Sequence, residues 1–168
     1  MKTQNISELR KPGIQPCAVV ANEEIAHNTW DLRLRPQTPF SFAPGQFVVL
    51  ATTDSAKTKR AYSIAGTDGD TLHFVFKRVE NGILTNHLAR LKPGDEVRAQ
   101  GPRGQFALQP TERPKLFMAT GVGLAPFPMF LDTLLNDAPN VPVRLLFGVR
   151  YPEEIFWEER FCRLAALN

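Results

Sequence analysis

The hydrophobic character of this chain shifts across Gln109-Pro110-Thr111-Glu112-Arg113-Pro114. Before that stretch, apolar residues alternate with polar ones in short runs, the pattern of half-buried antiparallel strands. After it, Lys115-Leu116-Phe117-Met118-Ala119-Thr120 is an unbroken apolar run that leads through glycines into helical spacing. Both patterns within 168 residues predict an antiparallel β unit followed by the start of a parallel α/β unit. The boundary falls near residue 110, giving units of 1–110 and 111–168.

Residues 1–13 are polar and end in Lys11-Pro12-Gly13, a loose lead-in. Strands are expected at Pro16–Ala21 and Thr29–Pro36, the second with Trp30, Leu32 and Leu34 inward and Asp31, Arg33 and Arg35 outward. Gln46–Ala51 follows the turn at Pro44-Gly45, and the polar stretch 52–59 leads to a short strand around Arg60. Gly66–Asp70 reads as a turn, and Thr71–Val79 as a strand with Leu72, Phe74 and Phe76 on one face. His73 takes the other face, solvent-side or partly packed. Ile83, Leu84, His87, Leu88 and Leu91 have helical spacing and stop at Lys92-Pro93-Gly94. Glu96–Gln100 is strand again, Gly101–Gly104 a turn, and Gln105–Leu108 a short strand. About six antiparallel strands and one short helix in a unit this small favour a closed or nearly closed barrel. In the second unit the 115–120 strand is expected to be covered on both faces. Gly121-Val122-Gly123 then turns into a helix through Phe127, Phe130, Leu131, Leu134 and Leu135. Val143–Gly148 is the next strand, and Pro152 opens a helix over Glu153–Leu167.

A net charge of +3 without a basic run excludes a nucleic-acid footprint. Cys17 and Cys162 form no Cys-x-x-Cys pair, iron–sulfur spacing or disulfide framework, and no metal site is predicted. Both thiols are expected to be buried or inert, in a reducing compartment. No apolar signal region or span of membrane length occurs, so a soluble cytoplasmic protein is expected.

Three stretches carry candidate chemistry. In Arg60-Ala61-Tyr62-Ser63, strand alternation puts Arg60 and Tyr62 on one face and Ala61 and Ser63 on the other. The guanidinium suits bidentate contact with a phosphate or carboxylate, and the ring suits a flat ligand. The same residues also read as a surface Arg, a core Tyr and a turn-entry Ser. Thr120-Gly121-Val122-Gly123-Leu124-Ala125-Pro126 lies where a parallel strand feeds a helix, a place for a diphosphate or for an ordinary tight turn. Pro126 stands where the third glycine of a dinucleotide fingerprint would be. Gly82-Ile83-Leu84-Thr85 opens the short helix, with Thr85 either a phosphate contact or a plain helix-start residue.

Arg-x-Tyr-Ser after Pro-Gly-Gln-Phe, Gly-x-x-Thr on a short helix, and Thr-Gly-x-Gly-x-x-Pro after an apolar strand occur here in that order. The chain thereby resembles the ferredoxin–NADP reductase family, especially the bacterial reductases and the reductase modules of ring-hydroxylating oxygenases. The resemblance implies a six-stranded FAD-binding barrel followed by part of a parallel α/β nicotinamide domain, with FAD and NADP or NAD as cofactors. It implies that Arg60 holds the flavin diphosphate, that Tyr62 packs on the flavin ring, and that Ser63 lies near the hydride-accepting N5. Ala61 belongs to the same stretch. Phe76, Lys77 and Arg78 would line the cofactor, and Gly82, Ile83, Leu84 and Thr85 would cap its diphosphate. Thr120 would sit between flavin and nicotinamide, with Gly121, Gly123, Leu124, Ala125 and Pro126 on the dinucleotide. Arg150, helped by Tyr151, would meet the adenosine ribose or its phosphate, or be a plain surface Arg. The activity implied is electron transfer from NAD(P)H to a ferredoxin, flavodoxin or other iron–sulfur protein on a separate chain.

Family members continue past the second α/β unit with further strands, a Cys-Gly segment and a tail near the flavin, whereas this sequence ends at Asn168. The expectation is a fragment whose apolar 116–118 strand has an open edge. Two other readings remain open: a flavin-binding or docking module without its own catalysis, and a barrel with no cofactor.

Overall fold

The computed structural model describes residues 13–52 and 58–166. The lead-in over 1–12, part of the polar link at 53–57, and Leu167 lie outside the described residues. Seven strands form one antiparallel sheet: β1 (Ile14–Ala26), β2 (Thr29–Pro36), β3 (Phe47–Ala51), β4 (Lys59–Ser63), β5 (Gly66–Asp68), β6 (Thr71–Lys77) and β7 (Glu96–Arg103). Their order is β4-β3-β7-β1-β2-β6-β5, so β4 and β5 are the two edges of the sheet. Only Ile64 and Ala65 separate these edges in the chain. The Ile64 amide donates to the Gln46 carbonyl beside β3 at 3.0 Å, and the Ala65 amide to His73 of β6 at 2.9 Å. Two consecutive residues therefore stitch both edges, and the sheet closes into a barrel.

The barrel core holds the expected Leu32 and Leu34 of β2 and Leu72, Phe74 and Phe76 of β6, together with Val48 and Leu50 of β3 and Val97 of β7. Each such side chain removed from water contributes about 1.5–3 kcal/mol. Helix α1 (Ile83–Leu88) adds Leu84 and Leu88 to this core. Asn22 fastens its C-terminal end, the side-chain amide donating to the Leu88 carbonyl at 2.8 Å and the Leu91 carbonyl at 3.0 Å.

The second unit pairs β8 (Lys115–Thr120) with β9 (Val143–Gly148) in parallel, with α2 (Phe127–Asp137) between them in sequence and α3 (Glu158–Ala165) after them. Phe127, Phe130, Leu124 and Phe156 of this unit share a buried cluster with Ala65 and Val75 of the barrel. No described helix is long and apolar enough to cross a membrane.

The structure corrects several expectations. The barrel has seven strands, not six, because Gly66–Asp68, read as a turn, pairs with β6. Gly101–Arg103, also read as a turn, continues β7, where Arg103 pairs with Phe47. Gly101 fits there because it lacks a side chain: a Cβ would lie 2.8 Å from the Val48 side chain. Gln105–Leu108 is not a strand. Phe106 instead sets its ring edge-on to Phe130 of α2, at 5.1 Å between centroids. The turn at Gly45, with φ +89°, lies so close that a Cβ would be 2.0 Å from the Phe106 carbonyl oxygen. Asp31, expected outward, is buried, as is Val75 on the corresponding face of β6, because the second unit lies against that side of the barrel. His73 is partly packed, as one of its two expected placements had it.

In the second unit β8 is covered on one face only, leaving Leu116, Met118 and Leu146 exposed, since α2 and α3 supply no cover on that side. The long helix expected after Gly123 begins only at Phe127. A 3-10 turn over Gly121–Leu124 comes first, and Pro126 is the N-cap residue. The helix expected over 153–167 is broken. A 3-10 turn at Pro152–Glu154 leads into extended Ile155, Phe156 is buried, and Trp157 adopts the left-handed conformation at φ +61°. Burying Phe156 in the shared cluster takes the chain off the helical path. Cys17 is buried, and burial pushes its thiol up to about 12, but Cys162 is exposed on α3.

Candidate functional site

Strand β4 pairs on one side with β3, Tyr62 opposite Val48 and Ser63 opposite Phe47. Arg60 and Ala61 are exposed on it, while Tyr62 and Ser63 are half-buried. The Arg60 guanidinium donates to the Lys59 carbonyl at 2.8 Å, and no carboxylate among the described residues pairs with it. Among the described residues most of its donors are left for an anion. The Tyr62 ring leans on the barrel core, edge-on to Phe76 at 6.3 Å, and Phe76 in turn stacks on Trp30 at 6.5 Å. Burial pushes the Tyr62 phenol up to about 12, against the opposing pull of the Arg60 charge. At neutral pH the phenol therefore stays protonated and is a hydrogen-bond donor.

Phe76 was expected to line a cofactor through backbone and side-chain contacts. That side chain is fully inside the barrel, supporting Tyr62, which leaves only its backbone available. Lys77 and Arg78 continue from it at the exit of β6. Lys77 forms an ion pair with Glu154 of the second unit. The Arg78 amide donates to the Asn28 carbonyl at 2.7 Å and its guanidinium to Asn86 Oδ1 at 3.0 Å.

The Gly82–Thr85 segment forms a compact loop-to-helix cradle. Thr85 Oγ1 accepts from the Val79 amide at 3.2 Å. Asn86, which sequence reasoning missed, donates to the carbonyls of Val79 (2.8 Å), Glu80 (3.0 Å) and Gly82 (2.8 Å). An Asn within the first turn of a short helix was the signal, since that residue prefers to satisfy nearby backbone groups. A Cβ on Gly82 would lie 2.4 Å from Thr85 Oγ1, so the close approach requires glycine. Ile83 was expected on the apolar stripe of the helix. It is 74% exposed instead, whereas Leu84 is buried. At six residues, α1 is too short to contribute much dipole, so an anion there rests on loop amides and hydroxyls.

Thr120 ends β8 and is exposed, beside Gly148 at the end of β9. The carboxyl ends of these two strands line an open depression of about 500 Å³ that includes Met118, Thr120, Leu146 and Gly148. Ligands of open parallel sheets bind beyond such strand ends. Gly121, with φ +50°, and Gly123 form the 3-10 turn after Thr120, and a Cβ on either would meet nothing within 4 Å, which leaves the backbone approachable. Leu124 and Ala125 face inward and are buried, with Pro126. They shape the turn without exposing side chains. Arg150 and Tyr151 follow β9 and are exposed; the Arg150 amide donates to Glu154 Oε2 at 3.2 Å. A narrower apolar cleft of about 100 Å³, between α2, β9 and α3, holds no group that binds phosphate.

The residues fit a flavin dinucleotide in kind: a guanidinium with no carboxylate partner among the described residues, a protonated phenol on a supported ring, and a glycine-tight cradle with polar groups. Comparison with known proteins points the same way. Residues 16–108 match the oxidoreductase FAD-binding domain family, and residues 117–168 the oxidoreductase NAD-binding domain family. The reductase component of the naphthalene 1,2-dioxygenase/salicylate 5-hydroxylase systems of Ralstonia sp is 34% identical over 151 residues, covering 88% of this chain and 45% of that protein. Ferredoxin–NADP reductase B of Sorangium cellulosum is 37% identical over 130 residues, covering 75% of this chain and 53% of that protein. The crystal structure of the Amycolatopsis cytochrome P450 reductase GcoB superposes with a TM-score of 0.84 at 30% identity, covering 92% of this chain and 49% of that one. The chain thus spans about half the length of the curated relatives it matches.

Proposed function

The chain belongs to the FAD- and NAD-binding oxidoreductases of the ferredoxin–NADP reductase family, and from that premise we propose that it is the flavin barrel and first nicotinamide-binding segment of an NAD(P)H-dependent electron-transfer reductase. The division is 1–110 for the barrel and 111–168 for the nicotinamide side, a reading supported by family matches that end at 108 and resume at 117. The acceptor is a one-electron carrier on a separate chain: a ferredoxin, a flavodoxin or another iron–sulfur protein. Relatives named as reductase components of dioxygenase systems support that choice.

The observation that carries the reading is Arg60 beside Tyr62 on β4: a fixed cation without a carboxylate partner among the described residues, next to a ring held by the core. A bound flavin supplies the chemistry, accepting two electrons as hydride and releasing them singly. The chain supplies position. Arg60 binds the diphosphate, with the Gly82–Thr85 cradle closing on the same group. Tyr62 offers a face and a donor hydroxyl, and Ser63 places a second hydroxyl at the hydride-accepting edge. Thr120 and the Gly121–Pro126 turn receive the nicotinamide dinucleotide, and Arg150 its adenosine ribose. A second reading, a flavin-binding or docking module without its own turnover, is favoured by the bare apolar face of β8 and β9.

An absorbance spectrum of the protein incubated with FAD, before and after anaerobic NADPH or NADH, tests both. A bound flavin that bleaches supports the reductase. A bound flavin that stays yellow supports the module. A protein that takes up no flavin refutes both.

A further inference from the structure

Glu154 lies in the turn after β9, outside every motif of the sequence, yet its side chain is only 12% exposed. One of its carboxylate oxygens meets the barrel and the other its own turn in the second unit. Oε1 takes Lys77 at the exit of β6, and Oε2 accepts the Arg150 amide at 3.2 Å. The Lys77 hydrogen bond holds this carboxyl below the usual carboxylate range, so it is ionised at neutral pH. A second strand of the joint runs through the backbone, where the His27 amide in the β1–β2 turn donates to the Glu153 carbonyl at 2.9 Å. From Lys77 the contacts continue without a gap. Arg78 bonds Asn28 and Asn86, and Asn86 ties down Val79, Glu80 and Gly82.

We propose that Glu154 is a positioning residue that clamps the Arg150 segment to the exit of β6, and so fixes the adenosine-binding end of the second unit relative to the flavin cradle. The proposal rests on the reading of Arg150 as the contact for an adenosine ribose or ribose phosphate. No neutral side chain replaces this clamp, because both oxygens must accept at once and one of the donors is a cation. Glutamine keeps the shape but offers one acceptor oxygen and an NH2 group, which repels whichever donor it faces. Loss of the clamp frees Arg150 without disturbing Arg60 or Tyr62, which sit on β4 and are held by β3 and the core.

The test uses Glu154→Gln in the whole chain with three readouts: amide hydrogen exchange at His27 and Arg150, the Kd for 2′-phospho-AMP with AMP as control, and the Kd for FAD. Exchange at both amides is expected to rise at least tenfold and 2′-phospho-AMP to bind at least fivefold more weakly, with FAD affinity within twofold of the parent. A purely structural role would weaken FAD and 2′-phospho-AMP together, and that result overturns the proposal. So does exchange at Arg150 and His27 unchanged in the variant, or a parent chain with no affinity for 2′-phospho-AMP or AMP. Should Glu154→Gln fail to fold, Lys77→Met reads the same ion pair from the barrel side through the same two amides. The exchange readout needs no cofactor, so a chain that fails to bind FAD sinks the functional reading while still reporting on the clamp.

Discussion

Replacing Arg60 by alanine separates a site residue from a structural one. The side chain is exposed on β4, and its hydrogen bond within the described protein is to the Lys59 carbonyl, which water can replace. The strand itself is held by its ladder to β3 and does not depend on that group. Folding stability should therefore move by no more than about 0.5 kcal/mol, the range of ordinary surface substitutions. If the guanidinium holds a diphosphate, the lost contact is a hydrogen bond to a charged group, worth about 1.5–3 kcal/mol. At about 1.4 kcal/mol per factor of ten, the Kd for FAD should rise roughly 10- to 150-fold. Lysine keeps the charge but not the fork, so Arg60→Lys should recover part of the loss. FAD titration followed by flavin fluorescence, with thermal melts of each variant without FAD, gives both numbers. A folded Arg60→Ala protein that binds FAD within twofold of the parent would return Arg60 to the surface and remove the main support for the flavin site.

Three further outcomes follow from the packing. Burial lowers the His73 pKa below 6.5, against the pull of Asp31 and with Arg33 and Arg160 acting in the same direction as burial. The folded protein thus resists a proton that the unfolded chain accepts. His73 contributes no pH dependence above about 6.5, and stability falls as pH drops below it, by at most about 1.4 kcal/mol per unit; melts at pH 7.5 and 5.5 should show a smaller acid loss for His73→Gln than for the parent. Gly82→Ala forces a methyl to within 2.4 Å of Thr85 Oγ1, so denaturant unfolding should show a loss of about 1–3 kcal/mol, and FAD binding should weaken with it. A maleimide added to the native protein should label Cys162, exposed on α3, and leave Cys17 untouched until the chain is unfolded, since that thiol is buried and its pKa is pushed up to about 12.

The barrel was legible because alternation reports burial on one face directly. Leu32, Leu34, Leu72 and Phe74 point into the core as read. The same signal is blind to a second layer. Asp31 and Val75 lie on the face that looks outward within the barrel, and they are buried only because the α/β unit rests there. The single apolar Val75 among polar neighbours was too slight to show it. The parallel strand Leu116-Phe117-Met118 misled in the other direction, since apolar composition says what a strand can bury, not what its neighbours cover. The left-handed Trp157 has no local sequence cause and follows from seating Phe156. Of the site, Arg60, Tyr62, Ser63 and the two glycine turns could be singled out because their residue types suit a phosphate or a flat ring. Asn86 and Glu154 could not. Their importance lies in whom they touch, and contacts between residues 77 and 154 leave no trace in spacing.

The closure of the barrel explains why those legible residues stand together. Ser63 ends β4, and the two residues after it divide between the two cores of the molecule. Ile64 is buried among the barrel side chains, while Ala65 is buried with Val75, Phe127 and Phe156 against the second unit. The same two amides tie β4 to the Gln46 and His73 sides. A strand fixed at its end by both cores and both sheet edges has little freedom to shift, which is what a site demands if it must hold a diphosphate and a ring in one register. The smallness of Ala65 matters for the same reason. The second unit reaches the barrel next to Ser63, so its approach to β4 is set by the chain that carries the candidate site. Glu154 and Lys77 then join the two units at the exit of β6, the strand whose Phe76 supports Tyr62.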